Sequence, residues 1–362
     1  MTNNGSHHVL GIMSGSSLDG LDLAYCTFQE QDGGWNYQIK QAETLSYDKP
    51  LADQLGKLNE IAAEAFVHLD MRLGRFIGDA VNRFIEKHQP EKIDYIASHG
   101  HTAFHNPSKG YSSQIGNGAT IAALTKIPTI TDFRSLDVAL GGQGAPLVPI
   151  GDALLFAEYD YCLNLGGYSN ISFDKKGKRV AFDICPVNKA INYLAGQAGQ
   201  SMDKDGKMAK QGAVDEDLLN LLNNIDFYHM PPPKSLGDDW LNARFLEVLR
   251  NASHISLHDQ LRTVYEHIAI QIANASDGTE EATILVTGGG AHNRFLMERI
   301  RERNINRLVI PENRLVEFKE ALIFAFMGVL RSKSRINCLA SVTGACRDSS
   351  GGIIYLIQSV KQ

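Results

Sequence analysis

Gly11-Ile12-Met13-Ser14-Gly15-Ser16-Ser17-Leu18-Asp19-Gly20-Leu21-Asp22 follows the apolar entry Val9-Leu10 and runs into Leu23-Ala24-Tyr25-Cys26. The pattern predicts a strand, a tight turn and a second strand. Gly15 and Gly20 permit positive φ and close backbone approach. Ser14, Ser16 and Ser17 supply hydroxyls, and successive N–H groups of such a turn form a concavity suited to an anion. Asp19 and Asp22 set carboxylates beside it, where a phosphate-bound Mg²⁺ takes oxygen ligands or ordered water. A polar hairpin turn explains the same residues without any ligand. No Gly-Lys-Ser/Thr ends the stretch and no helix clearly follows, so it is not a Walker loop.

Working outward, residues 35–47 alternate as a further strand, and apolar residues recur at helical spacing from Leu51 to Lys87. Ile93–His99 reads as a short buried strand, residues 118–126 as a helix and Pro128–Thr131 as a strand. This β-β-β-α-β-α-β order is an α/β pattern. Tyr161–Phe173 again reads as strand, glycine turn, strand, with Gly166-Gly167 at the turn and a third strand at Arg179–Asp183. Two glycine-turn hairpins about 150 residues apart suggest a duplicated nucleotide-binding half. Helices are expected at 238–252 and 257–276, after the break at Pro231-Pro232-Pro233.

The chain has 362 residues, 43% hydrophobic and 21% charged, which suits two domains of ordinary size. A net charge of −6 with no basic patch argues against a nucleic-acid partner. Five widely spaced cysteines without a C-x-x-C favour a reducing, cytoplasmic setting. No apolar run reaches the ~18 residues of a membrane span. The first residues lack the charged-then-apolar pattern of a signal peptide.

Several stretches carry chemistry. Val286-Thr287 leads into Gly288-Gly289-Gly290, then Ala291-His292-Asn293 and a helix. Three glycines cost conformational entropy, which a closely approaching nucleotide or a tight structural turn would each explain. Asp183 closes a strand, a position suited to a general base in an open α/β sheet, with a helix cap as the plainer role. Cys185 reads as a small buried thiol rather than a nucleophile. His99, His101 and His105 have a spacing compatible with metal, but without a second ligand cluster they read better as polar residues lining a substrate cleft. Gly141–Pro149, with Gln143, is a hinge, a substrate-contacting turn or a simple interdomain loop. Glu320 begins a helix, and Arg134 suits phosphate or sugar oxygens or a surface pair.

Taken in order along the chain, these segments resemble the anhydro-N-acetylmuramic acid kinase family. The resemblance rests on Gly11–Asp22, Ser98–Thr102, Gln114–Asn117, Asp132–Arg134, Gly141–Pro149, Asn164–Gly167, Phe182-Asp183, Pro232–Ser235, Thr287–Asn293, Lys319–Ala321 and Val342–Ala345. It implies an actin, hexokinase and Hsp70 type of fold (ribonuclease H-like), with two α/β lobes and ATP between them. The first lobe would take residues 1–135 and about 345–362, the second 136–344. It implies addition of water across the 1,6-anhydro bond of anhydro-N-acetylmuramic acid with transfer of the ATP γ-phosphate to O6. The product would be N-acetylmuramate 6-phosphate, in cell-wall recycling.

On the resemblance, Asp183 is the base that activates water, and Arg134 and Glu320 contact sugar or reacting groups. Gly15, Ser16, Ser17, Asp19, Gly20 and Asp22 hold phosphate and Mg²⁺, the metal through Asp19 or Asp22. Gly166, Gly167, Gly288, Gly289, Gly290 and Asn293 lie against ATP. His99, His101, Gln143 and Asn188 face the sugar. A homodimer is implied. The family pattern around the base is Phe-Asp-Thr-Gly-Pro-Gly-Asn, and here Ile184, Cys185 and Val187 replace Thr, Gly and Gly; His101 replaces a common Gln. A kinase of a different amino sugar is therefore one alternative. A non-catalytic nucleotide-dependent sugar sensor on the same fold is another.

Overall fold

The N-terminal strand–turn–strand of the computed structural model is the centre of a sheet. The structure describes residues 5–15, 18, 20–58, 61–276, 281–304 and 306–357. Strand β1 (His7–Ser14) is buried continuously from Val9 to Ile12, as expected of a strand covered on both faces. It pairs antiparallel with β2 (Leu21–Gln31), which pairs antiparallel with β3 (Gly34–Leu45). Helices α1 (Lys49–Leu55) and α2 (Ala63–His88) follow, then β4 (Tyr95–Ser98), parallel to β1. A separate two-stranded hairpin, β5 (His101–Asn106) and β6 (Tyr111–Ile115), stands apart from the main sheet. Helix α3 (Gly118–Thr125), β7 (Thr129–Thr131), α4 (Ser135–Ala139) and α5 (Pro149–Leu155) come next.

The chain then repeats the plan. Strands β8 (Tyr161–Leu165), β9 (Tyr168–Lys175) and β10 (Lys178–Pro186) form an antiparallel meander. Helices α6 (Asn188–Gln197), α7 (Glu216–Asn223), α8 (Asp238–Trp240), α9 (Leu246–Asn251) and α10 (Leu257–Ala275) follow, with a π-turn between α8 and α9. Strand β11 (Thr283–Thr287) runs parallel to β8, and after α11 (Arg294–Arg303) strand β12 (Arg307–Val309) runs parallel to β11. Helix α12 (Asn313–Ser332), α13 (Ala340–Thr343) and β13 (Ile353–Tyr355) complete the chain.

The two main sheets run β13-β7-β4-β1-β2-β3 and β10-β9-β8-β11-β12. Each has a meander of three strands whose first member pairs with a fourth, parallel strand and through it with a fifth. That identity of order is the duplication expected from the two glycine-turn hairpins, and the doubled α/β plan of the actin and hexokinase type.

Two compact units result: residues 1–155 with 318–362, and residues 156–317. Residues 136–155 and 318–344, assigned above to the second lobe, therefore lie in the first. Helix α5 packs on β3 of that unit. Helix α12 carries the second crossing, and its helical geometry breaks at Phe318 (φ −111°, ψ 16°), where the units part. In the first unit a buried core joins Leu10, Ile12 and Leu23 to Leu73, Ile77 and Phe84 of α2. In the second, Leu163 and Val286 meet Leu261, Tyr265 and Ile268 of α10.

Candidate functional site

The first unit gathers several of its candidate side chains near the carboxyl ends of β1, β4 and β7. Gly11 has no Cβ for a steric reason: a Cβ there would stand 2.0 Å from the Ala321 carbonyl oxygen. Bare backbone on β1 lets α12 lie against the strand, which carries Lys319-Glu320-Ala321 to the turn that follows β1. Lys319 pairs with Asp152 of α5 at 2.7 Å, both side chains almost fully buried. Glu320 keeps exposed surface, yet enough protein surrounds it to raise its carboxyl above the ordinary range. The negative charge of Asp22 adds to that rise, and Arg134 and Lys319 oppose it.

In the turn itself Leu18 takes the left-handed conformation (φ 58°). Gly20 is excluded from carrying a side chain by Thr44 Cγ2 at 2.6 Å from its Cβ position. Asp22, on β2, accepts from Thr44 Oγ1 at 2.6 Å. Ser16, Ser17 and Asp19 lie outside the described residues.

Arg134 follows β7. Its Nε donates to His99 Nε2 at 2.9 Å and its Nη1 to the Gly144 carbonyl at 2.5 Å. Acceptance at Nε2 assigns His99 the tautomer protonated at Nδ1, which donates to the Gly100 carbonyl at 2.8 Å. Burial and the Arg134 charge hold His99 neutral, well below its ordinary pKa. Burial lowers the Arg134 guanidinium to about 10, against the raising effect of Glu320.

His101 opens β5, a strand that the sequence reading took for a loop. It shares a hydrogen bond with Ser14 Oγ at 2.9 Å, and Tyr47 donates to the same oxygen at 2.7 Å. His105 contacts Ser112 instead. The three imidazoles thus serve three different partners, and no metal-ligating cluster forms among the described residues.

The Gly141–Pro149 loop is organised by Asp137, which is 1% exposed. Its carboxylate accepts from the Gly144 N–H at 2.7 Å, Thr343 Oγ1 at 2.7 Å and Cys338 Sγ at 3.1 Å. Gln143 is exposed and its N–H donates to the Thr343 carbonyl at 2.8 Å. Beside Arg134 lies a polar cavity of about 220 Å³, lined in part by Asp70, His99, Gln114, Asn117, Asp132 and Tyr355. Asp70 of α2 shapes its wall, accepting from the Gly116 N–H at 2.8 Å and Asn117 Nδ2 at 3.1 Å. Sequence reasoning passed over Asp70 and offered Asp137 only as a surface partner for Arg134; Asp137 is instead buried, and the partners of both carboxylates come together only in the fold.

The second unit carries Asp183. It lies inside β10, three residues before the strand ends, rather than closing it. The β9–β10 register slips between Asp183 and Cys185, so Ile184 is an extra residue on the bulged strand. A bulge bends the strand and re-aims the neighbouring side chain. Asp183 Oδ2 accepts from the Leu236 N–H at 2.8 Å, and the Asp183 N–H donates to the Lys234 carbonyl at 3.0 Å. Burial pushes the carboxyl from its ordinary 3.8 up to about 6, with the Leu236 N–H opposing. Cys185 is fully buried against Ser169, and burial raises its thiol to about 12, which matches an inert thiol.

The glycine turn Gly166-Gly167 is held by the start of α6: the Asn188 N–H donates to the Gly166 carbonyl and the Lys189 N–H to that of Gly167. Asn188 stands over the glycine triplet, its side chain within 4 Å of the Cβ positions of Gly289 and Gly290. Strand packing accounts for two of the three glycines. A Cβ on Gly288 would meet Asn164 Oδ1 at 2.5 Å, and one on Gly290 would meet Leu165 Cβ at 2.8 Å. Gly289 alone is exposed, with only Asn188 Nδ2, at the ordinary contact distance of 3.7 Å, near its Cβ position, so packing does not account for its bareness. Asn293 caps α11, accepting from the Leu296 N–H at 3.1 Å, and its amide donates to Tyr265 at 2.7 Å.

Residues 7–357 match the family described as Anhydro-N-acetylmuramic acid kinase. A protein of that name from Sulfurimonas denitrificans is 32% identical, across 97% of this chain and 100% of its own length. Another of that name from Vibrio cholerae is 35% identical, across 96% and 97%. Among solved structures, a ROK family glucokinase from Streptomyces griseus in complex with glucose and AMPPNP aligns at a TM-score of 0.40 and 11% identity, covering 88% of this chain and 98% of that one. The chain belongs to the anhydro-N-acetylmuramic acid kinase family.

Proposed function

We propose that this protein is an ATP-dependent kinase of anhydro-N-acetylmuramic acid that opens the 1,6-anhydro bond by hydrolysis and phosphorylates O6. The observation that carries the reading is Asp183: a carboxylate re-aimed by a bulge, held by one N–H, and with a pKa near the operating range of a general base. Asp183 takes a proton from water as its oxygen bonds to C1. The C1–O6 bond breaks, O6 bonds to the γ-phosphorus, and ADP leaves; the proton on Asp183 returns to solvent. The product is N-acetylmuramate 6-phosphate, which fits a place in cell-wall sugar recycling.

Arg134, anchored through Nε and Nη1, presents Nη2 to an anionic oxygen of the reacting groups, and Glu320 orients sugar hydroxyls or water. His99, His101, Gln143 and Asn188 are the side chains we assign to the sugar, although Asn188 also lies on the glycine triplet. The exposed Gly289 and the Gly166-Gly167 turn fit a nucleotide, because bare backbone admits phosphate oxygens to N–H donors. Mg²⁺ enters with ATP, neutralises phosphate charge when bound, and needs few protein ligands; Asp22 or Asp19 is the candidate. We also infer a cytoplasmic homodimer, which the five free cysteines and the family support. No helix among the described residues is long and apolar enough to cross a membrane.

The test is turnover of Asp183→Asn with Mg-ATP and anhydro-N-acetylmuramic acid. Loss of ~10²–10⁴-fold in kcat with ATP affinity retained is the expected outcome for a general base. Turnover like that of the wild type would remove Asp183 from the role.

A further inference from the structure

We propose that Tyr168, Asp238 and Lys189 form a latch that holds the loop after Pro231-Pro232-Pro233 against Asp183, and so act as positioning residues for the reaction. The inference rests on the reading of Asp183 as the base.

No residue from Pro231 to Asp239 is buried, so apolar packing does not fix this irregular segment. Polar contacts do, at two points on either side of Leu236. On the near side, the Lys234 carbonyl accepts from the Asp183 N–H at 3.0 Å, and Lys234 Nζ donates to the Phe227 carbonyl at 3.0 Å. That stretch is anchored below by Tyr228, whose hydroxyl lies 3.0 Å from His267 Nε2 on α10. Asn223 Oδ1 lies 2.7 Å from His267 Nδ1 and already accepts from Gln271, so His267 is protonated at Nδ1 and Tyr228 donates.

On the far side, Asp238 is the anchor. Its Oδ1 accepts from the Tyr168 hydroxyl at 2.6 Å and pairs with Lys189 Nζ. The Lys189 stem lies on Gly167, and its ammonium stands 5.1 Å over the Tyr168 ring. Both partners stand on regular elements: Tyr168 begins β9, and Lys189 is in the first turn of α6. An exposed ion pair alone is worth little. A phenol donating to the same carboxylate makes a charge-assisted hydrogen bond with a ring already held in place. Between the two anchors sits the Leu236 N–H, 2.8 Å from Asp183 Oδ2. Gly237, which links Leu236 to Asp238, has nothing within 4 Å of its Cβ position, and its carbonyl accepts from the Leu241 N–H at 2.9 Å at the start of α8.

The titratable groups of this unit that face or adjoin Asp183 are the Tyr168 phenol on β9, the Cys185 thiol on its own strand, Lys234 and Asp238 on the loop, and Lys189 on α6. This fixes the sign of the test. If the latch positions the N–H, removing it takes a donor from the carboxylate and raises the Asp183 pKa. If Asp238 acts only through its charge, removing it lowers that pKa.

The experiment titrates the Asp183 carboxyl by ¹³C NMR in the full-length protein, with Asp183→Asn used for assignment, alongside kcat/KM against pH. We expect Asp238→Ala to raise the pKa by about one unit and to move the acid limb equally, a tenfold loss well below the limb. Tyr168→Phe, which changes no charge, should shift both in the same direction by less. Asp238→Asn, which keeps an acceptor for Tyr168, should return most of the shift. These two milder variants carry the test if Asp238→Ala does not fold. An unchanged or lowered pKa in Tyr168→Phe and in Asp238→Ala overturns the latch, as does a shift in Asp238→Asn as large as that in Asp238→Ala. Because the NMR titration needs no turnover, activity retained by Asp183→Asn would count against the base and leave the latch to be judged by its own shift.

Discussion

Asp183→Asn should make the protein more stable at neutral pH while abolishing turnover. The folded carboxyl titrates at about 6 against an ordinary 3.8, because burial penalises its charge. A raised carboxyl pKa means the native state binds the proton more tightly than the unfolded chain. Native stability therefore falls as pH rises from about 4 to about 6, then levels off. Roughly two pKa units at 1.36 kcal/mol each give a cost of about 3 kcal/mol at pH 7. Asparagine carries no charge to bury and keeps an amide oxygen for the Leu236 N–H. The variant should gain up to that amount at pH 7, on the order of 5 °C in midpoint for a chain of this size. The gain should shrink to near zero at pH 4. Urea unfolding at both pH values, followed by circular dichroism, measures the difference. Equal stability at pH 7, or a gain of the same size at both pH values, would refute the argument that burial of a charge sets this pKa.

The acid limb of kcat/KM should fall near pH 6, with about a tenfold loss from pH 7 to pH 5 as Asp183 protonates; a limb near 4 would mean that Asp183 is not the titrating base. Gly11→Ala should destabilise by several kcal/mol or prevent folding, since its Cβ would collide with the Ala321 carbonyl, as thermal melts would register. Gly289→Ala should leave stability within about 0.5 kcal/mol and weaken ATP binding, read by calorimetry. Asp137→Asn should cost about 2–3 kcal/mol in denaturant unfolding, because the buried carboxylate serves three donors that an amide cannot all satisfy.

The order of elements along the first half and the duplication were legible because apolar alternation and glycine turns are local signals. The boundary between the units was not. The sequence reads as a helix beginning at Glu320, whereas α12 starts at Asn313 and places Glu320 inside it, just past the break in helix geometry at Phe318. Nor does local pattern show that α5 packs back on β3. The β5–β6 hairpin was hidden by polarity: His101-Thr102-Ala103-Phe104-His105-Asn106 reads as a loop until its partner strand is known. For the triple glycine the sequence leaves a nucleotide or a tight turn open, and the fold divides the answer: Gly288 and Gly290 are bare because β8 presses on them. Asp183 was found from strand position, but its bulge and its Leu236 partner, 53 residues away, come only from tertiary structure.

The most direct measurement is mass spectrometry of the sugar product after incubation with Mg-ATP and anhydro-N-acetylmuramic acid in ¹⁸O-labelled water. The account predicts a product heavier than the substrate by one phosphate and one water, with a single ¹⁸O at C1 and none in the phosphate ester. A phosphorylated sugar that retains the anhydro bridge, or ADP formed without any phosphosugar, would contradict it.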